Sequence, residues 1–343
     1  MDKKEILHYL KTSSEDETLF QKADYVRKRY CGDEVHIRGI IEFSNHCCRS
    51  CLYCGLRKEN KKLKRYRMSE DEIVALALRI ASYGVKTIVL QSGDDFYYSR
   101  SMICNIVQNI KKEADVAITL SIGERPLDDY RAFKDSGTDR YLLKHETVNE
   151  KLYKRLHPGQ SLKKRLKILE HLKKLGYQTG AGNIVGLPGQ TLEDLCEDIL
   201  FFKRFDPDMI GIGPFIPQKD TPLSTFPQGS FLLTLKVLAL TRITTLNSHI
   251  PATTALATVE PDGQFMGLKA GANVIMPDFT PSNYRKNYTI YDNKAHITLE
   301  KAKETIFKAG RIISTDKGHS LKRLNESKYS AIMENKVSHS FIY

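Results

Sequence analysis

Eight residues, CCRSCLYC at positions 47–54, hold four of the chain's seven cysteines. Thiolates are ligands for soft metals and iron–sulfur clusters, so a group this dense is a candidate metal or redox centre. Among the four, Cys47, Cys51 and Cys54 form a C-x3-C-x2-C spacing and Cys48 is left over. Three thiolates on one short loop can hold three irons of a cubane cluster and leave the fourth iron open to a substrate or cofactor. Zinc is the alternative. Tetrahedral closure would then need a fourth donor, and Cys48 or His46, each adjacent to Cys47, is poorly placed to reach the same ion. The flanking residues, RS inside the loop and GLRKEN after it, are polar, which argues against a set of inert buried thiols.

The elements that must carry this loop follow from the hydrophobic pattern. HIRGIIEF (36–43) reads as a strand ending just before the cysteines. SEDEIVALALRIASYG (69–84) opens with a Ser cap and early acids and then repeats apolar residues at helical spacing. The alternation continues with a strand at 86–93, a helix at 99–112, a strand at 116–123, a helix at 126–136 and a strand at 139–146. A helix at 161–175, a strand at 177–186, a helix at 191–204, a strand at 208–215 and a helix at 230–246 follow. HIPATTAL (249–256) and ANVIMPD (272–278) complete a set of eight strands. Eight strands separated by helix-length stretches predict an α/β fold, a single TIM-type (β/α)8 barrel, with the open doubly wound sheet as the alternative. The expected domains are a helical N-terminal extension (1–35), the barrel (36–280), and a C-terminal crossing segment (281–343) whose helix (298–312) and Lys-rich tail close the barrel.

Composition narrows the function classes. The chain has 343 residues and a formal charge of +12, from 53 Lys and Arg against 41 Asp and Glu. Its basic residues are interleaved with acids, and RKENKKLKRYR (57–67) reads as a solvated face rather than a phosphate footprint, so no nucleic-acid partner is expected. No apolar run approaches the roughly 18 residues of a membrane span, and the opening residues lack the apolar core of a signal peptide. A cytoplasmic, reducing location follows as the expectation, in which an odd number of cysteines is not a disulfide framework.

C-x3-C-x2-C directly after the first strand, with Tyr53 just before the last Cys, resembles the radical S-adenosylmethionine (SAM) enzymes. That resemblance implies that Cys47, Cys51 and Cys54 hold a catalytic 4Fe-4S cluster, whose fourth iron is chelated by SAM and cleaves it to a 5'-deoxyadenosyl radical. It also implies SAM contacts at the strand ends. Gln91, Ser92 and Gly93 of QSGDD would lie against the methionine amino group, with Ser121 of SIGE nearby. Glu146 of KHET would accept from the ammonium or ribose, and Arg165 would pair with the carboxylate. Gly186 and Leu187 of GNIVGLPGQT would lie on the adenine side.

Longer stretches are similar to the HydE maturases of iron-iron hydrogenase, relatives of biotin synthase and methylornithine synthase. They include GDEVHIRGIIEFSN (32–45), CLYCGLRKENKKLKRYRM (51–68), TIVLQSGDDFYY (87–98), DRYLLKHET (139–147), LGYQTGAGNIVGLPGQT (175–191), DMIGIGPFIP (208–217), IPATTAL (250–256) and GANVIMP (271–277). This implies adenosyl-radical chemistry on a small-molecule or organometallic precursor of the di-iron subcluster. The implied partners are a ferredoxin or flavodoxin as electron donor and other maturases. Arg38, Thr119, Ser121, Arg140, Thr253, Thr254 and Met276 would face an anionic substrate, with Tyr288 and Tyr284 over the mouth. Cys31, Cys104 and Cys196 are isolated, and AHITLEKAKETIF carries no Cys triplet of the kind some HydE-like proteins have there, so no second cluster for sulfur insertion is expected. The rival readings are a methylornithine-type mutase, a HydE-like paralogue acting on another thiol or amino acid, and a non-enzymatic iron–sulfur electron carrier or metal-binding module.

Overall fold

The computed structural model describes residues 1–323; the far end of the Lys-rich tail lies outside them. Helices α1 (Lys3–Lys11) and α2 (Asp16–Cys31) lead into β1 (Glu34–Ile37) and β2 (Gly39–Ser44). Helix and strand then alternate through α3 (Glu70–Ser82), β3 (Thr87–Ser92), α4 (Arg100–Glu113), β4 (Ala117–Ser121), α5 (Leu127–Asp135) and β5 (Arg140–Leu142). After α6 (Glu150–Leu156) and α7 (Leu162–Lys174) come β6 (Gln178–Val185), α8 (Leu192–Phe205), β7 (Met209–Pro214) and α9 (Phe231–Thr245). The described part closes with α10 (Thr254–Val259), α11 (Gly263–Lys269), β8 (Val274–Ile275), α12 (Ser282–Arg285), α13 (Leu299–Lys308), β9 (Ile312–Ile313) and a single 3-10 turn (Leu321–Arg323).

The fold is α/β with parallel strands. Strands β2 to β7 form one six-stranded sheet in sequence order, and β8, β1 and β9 form a second group. Such strands are covered on both faces, which is why they read as β-branched runs with little alternation; all six residues of β2 are buried. Single parallel bridges continue the pairing, from Met209 to His249, from Pro251 to Val274, and from Asp278 to Ile40. The helices start where their caps say they should: Ser69 and Glu72 close a capping box on α3, as do Thr191 and Asp194 on α8.

Four expectations need correction. HIRGIIEF is two strands broken at Arg38, because the chain pairs first with β8 and β9 and then moves across to β3. HIPATTAL is not a strand: it makes only single bridges at His249 and Pro251, and Thr253 then starts α10 as its N-cap residue. ANVIMPD shortens to the two residues of β8. The helix expected at 298–312 ends at Lys308, and Ile312 pairs with β1 instead.

Beyond β9, the segment around residues 317–320 lies across the N-terminal ends of the strands. Arg140 donates to the carbonyl oxygens of Lys317 (2.5 Å) and Gly318 (2.8 Å), and the Ser320 amide donates to Gln178 Oε1 (2.8 Å). The open end of the molecule is therefore the other one, where the strand C-termini lie.

Asp198 is one of the buried groups that make stability pH-dependent. Asp198 on α8 accepts from the Val148 amide (2.7 Å) and from Asn183 Nδ2 (3.1 Å), and burial pushes its carboxyl up to about 8. His145, 4.0 Å away, is held down to about 3 by burial and stays neutral, so no ion pair offsets the cost. The folded chain thus binds a proton that an unfolded Asp releases near pH 4, and Asp198's contribution to folding stability falls as pH rises from about 4 to about 8. Asp198→Asn is expected to flatten that decline, since Asn183 Oδ1 has no partner and can accept from a new amide after a flip. Urea denaturation midpoints at pH 5 and pH 8 measure it; an equal decline in wild type and variant contradicts it.

Candidate active site

The cysteine loop leaves the C-terminal end of β2 and is pinned from several sides. The Cys48 amide donates to the Asp94 carbonyl (3.1 Å), Leu52 to Leu156 (2.9 Å) and Gly55 to Ile290 (3.0 Å). Arg65 spans the loop from below, donating to the carbonyls of Asn45, Leu56, Arg57 and Asn60. The basic stretch 57–67 is therefore only partly a solvated face: Lys58, Lys61, Lys62 and Lys64 are exposed, whereas Arg65 is a structural staple. Tyr53 Oη lies 2.8 Å from His157 Nε2. Since His157 Nδ1 is 3.0 Å from the Tyr153 carbonyl and must donate there, Nε2 accepts from Tyr53.

Cys47, Cys51 and Cys54 all face one cavity of about 400 Å³, and Cys48, exposed, does not line it. All seven cysteines are free. Burial pushes the Cys47 thiol up to about 12, and raises Cys51 and Cys54 as well; at Cys54 the neighbouring thiols Cys51 and Cys47 add to the effect. Three converging thiols that resist ionisation alone are what a positively charged iron cluster would deprotonate and hold as thiolates. Each sulfur also has an N–H aimed at it: the Arg49 amide at Cys47 (3.4 Å), Gln160 Nε2 at Cys51 (3.3 Å) and the Leu56 amide at Cys54. Among the described residues no three His, Cys, Asp or Glu side chains converge tightly enough for a single metal ion. The donor set therefore fits a cluster, in which each thiolate takes a different iron, better than zinc.

Gly93, at the end of β3, packs directly under the loop. An added Cβ would stand 2.3 Å from the His46 carbonyl oxygen and 2.7 Å from Cys47 Cβ. Beside it, Tyr53, Gln91, Ser92, Ser121, Glu146 and Arg165 line the same cavity. Glu146 has φ +67°, a conformation costly for a non-glycine residue and recurrent at binding sites. Arg165 is held by Glu124 Oε1 (3.0 Å), the Lys144 carbonyl (2.9 Å) and Gln160 Oε1 (3.1 Å). Deeper in, Arg38, Thr119, Thr253, Thr254, Met276 and Tyr288 form the wall. Arg38 is buried with Nε and one terminal nitrogen unpartnered, and Thr119 Oγ1 is unpartnered too.

Four expected residues stand elsewhere. Arg140 begins β5, at the closed end of the molecule, and its donors are taken by Gln178, Thr87 and the carbonyls of Lys317 and Gly318. Gly186 and Leu187 do not reach the cavity, because Gln190 Oε1 accepts from both amides (2.7 and 3.2 Å) and Leu187 is packed into a small apolar cluster with Leu152 and Phe215. Tyr284 turns outward to Glu72 on α3 (2.8 Å).

Several cavity groups escaped the pattern reading. Glu42, Lys294 and Asp278 meet on the inner wall: Lys294 Nζ bonds Glu42 Oε1 and lies 3.3 Å from Asp278 Oδ2. Burial pushes Glu42 up to about 8, and its second oxygen has no partner. A carboxylate inside the apolar run GIIEFS was a readable signal; Lys294, in an irregular segment, had none. Asp94, which accepts from Arg49 Nε (2.5 Å) and from the Glu124 amide (3.2 Å), was equally silent.

A parallel α/β fold carrying three free thiols on the loop after an early strand, over a cavity rimmed by unspent polar groups, defines the iron–sulfur enzymes that bind a second cofactor at the cluster. Comparison with known proteins gives the particular class. Residues 41–202 match the Radical SAM superfamily. The chain is 57% identical over 279 residues to the [FeFe] hydrogenase maturase subunit HydE of Thermotoga maritima, covering 81% of this chain and 80% of that one. It is 32% identical over 268 residues to a 3-methylornithine synthase of Methanosarcina acetivorans, covering 78% and 75%. The crystal structure of methylornithine synthase (PylB) superposes with a TM-score of 0.83 at 25% identity, over 96% of both chains. The chain belongs to the HydE family of radical SAM enzymes.

Proposed function

We propose that this chain is a HydE-type maturase that acts in assembly of the di-iron subcluster of iron-iron hydrogenase, with Cys47, Cys51 and Cys54 holding a 4Fe-4S cluster and SAM bound beside it. When bound, the cluster supplies the one electron that cleaves SAM to methionine and a 5'-deoxyadenosyl radical. The observation that carries the reading is a single cavity bordered by the three thiols at one end and by Arg38 with open donors at the other.

The chain's own residues divide the work. Gln91, Ser92 and Gly93 offer carbonyls, a hydroxyl and close backbone approach for the methionine end of SAM, with Ser121 and Tyr53 beside them. Glu146 accepts from its ammonium or ribose. Arg165, oriented by Glu124 and the Lys144 carbonyl, retains N–H groups for its carboxylate as a fork donor. Arg38 and Thr119 present unspent donors to an anionic group of the substrate, across from Thr253, Thr254, Met276 and Tyr288. The single bridges linking β7, His249, Pro251, β8 and β2 support a ring of eight staves, a (β/α)8 barrel spanning 36–280, preceded by 1–35 and closed by the segment from 281 onward. That wall keeps water from a reactive intermediate. A one-electron donor of the ferredoxin or flavodoxin class and the other maturases are the proposed partners. No helix of the described residues is long and apolar enough to cross a membrane.

The test is anaerobic. Reconstituted with iron and sulfide and given a strong reductant, the protein should convert SAM to 5'-deoxyadenosine, and it should replace HydE in cell-free activation of apo-hydrogenase. Cleavage of SAM without hydrogenase activation would move the substrate to another thiol or amino acid; neither activity would overturn the proposal.

A further inference from the structure

We propose that Gln160 sets the reduction potential of the cluster through Cys51, and that Arg165 locks it in the orientation that does so. The inference rests on the cluster assignment above and concerns a residue with no role in it so far.

Of the N–H groups aimed at the three sulfurs, those for Cys47 and Cys54 come from backbone, of the loop itself and, at Cys47, of Asp94 as well. Only Cys51 receives one from a side chain, Gln160 Nε2 at 3.3 Å, from the turn between α6 and α7. An amide side chain has an oxygen and a nitrogen of nearly equal size, and which one faces the sulfur follows from its other partner. Here Arg165, which can only donate, lies 3.1 Å from Gln160 Oε1. The oxygen is thereby committed to Arg165 and the N–H to Cys51. Arg165 in turn cannot swing away freely, being held by Glu124 Oε1 and the Lys144 carbonyl. The turn is tied to the loop independently, through Leu52 to Leu156 and Tyr53 to His157, so Gln160 is not needed to keep the loop in place.

An N–H dipole pointing at a cluster sulfur stabilises the form with the extra electron, because the added negative charge is shared by the sulfurs. Hydrogen bonds to sulfur are one of the levers that set iron–sulfur potentials. Removing this one should make the cluster harder to reduce. The same chain of contacts makes the effect sensitive to SAM: a carboxylate engaging Arg165 changes the hold on Gln160 Oε1, and with it the N–H at Cys51.

The experiment compares reconstituted wild type with Gln160→Leu and Gln160→Glu by redox titration followed in visible absorbance and electron paramagnetic resonance, with and without SAM. Iron content and melting temperature are read on the same samples. Gln160→Leu removes the donor to Cys51 without adding charge and so isolates the N–H, whereas Gln160→Glu keeps an acceptor for Arg165, loses the donor and adds a negative charge beside the cluster, so its shift should be the larger. The expected result is near-normal iron content in both variants and a more negative potential in both. At a fixed poise the ratio of reduced to oxidised cluster should fall by up to about tenfold, a shift of about 59 mV for one electron. SAM should shift the potential of wild type more than that of Gln160→Leu. Iron-replete variants with the wild-type potential in both conditions would overturn the inference and leave the function standing. Absence of any cluster in wild type would instead sink the function.

Discussion

Cys47→Ala, Cys51→Ala and Cys54→Ala are each expected to reduce iron and sulfide incorporation to near zero, whereas Cys48→Ala should load like the unmodified chain. The difference follows from where the four thiols stand. Three face the cavity, each with its own N–H donor, and Cys48 faces solvent with its backbone spent on the Asp94 carbonyl. An Ala in the triplet leaves a cubane with two protein ligands and two open irons, which water and oxidants attack; the protein's own stability should hardly change, since none of the three side chains is a core anchor. Iron analysis and the visible charge-transfer band after anaerobic reconstitution give the answer. Loss of iron from the Cys48 variant would mean that the ligand triplet has been misassigned.

Gly93→Ala should be nearly as damaging to cluster loading while leaving every ligand in place. The new methyl would meet the His46 carbonyl and Cys47 Cβ well inside van der Waals contact. Both are parts of the ligand loop, one of them backbone, so relief requires moving the loop rather than a flexible side chain. Overpacking of this kind costs on the order of 1–3 kcal/mol, and here it falls on the residues that set the spacing of Cys47 from Cys51. The expected result is a folded protein with iron content far below that of wild type. Ser92→Ala, one residue back and without a clash, serves as the control and should load fully. Equal loading of the two variants would show that the loop accommodates the methyl and that Gly93 is there for some other reason.

Much of this site was written where pattern is strong. The parallel strands are covered on both faces and read as β-branched runs, and helices announced by a Ser or Thr cap with an acid three residues on, such as those starting after Ser69 and Thr191, began where expected. The cysteine spacing singled out the three thiols that line the cavity. What failed did so for physical reasons. HIPATTAL has strand composition, but Thr253 has the backbone of a helix cap and the following residues coil into α10. Arg140, expected to face the substrate, is the first residue of β5 and so belongs to the closed end, where barrel-type folds put stability rather than chemistry. The amides of Gly186 and Leu187 looked free in a glycine turn, and only the fold shows that Gln190 occupies both. Lys294 reaches Glu42 across 252 residues of sequence, a pairing that no local signal carries.

The central claim is that three protein thiols leave one iron of the cluster for SAM. Electron paramagnetic resonance of the reduced, reconstituted protein before and after addition of SAM tests it most directly. A changed signal on saturation with SAM, matched by 5'-deoxyadenosine after warming, is the predicted result. A signal that SAM leaves untouched, in a protein with a full complement of cluster iron, contradicts the account.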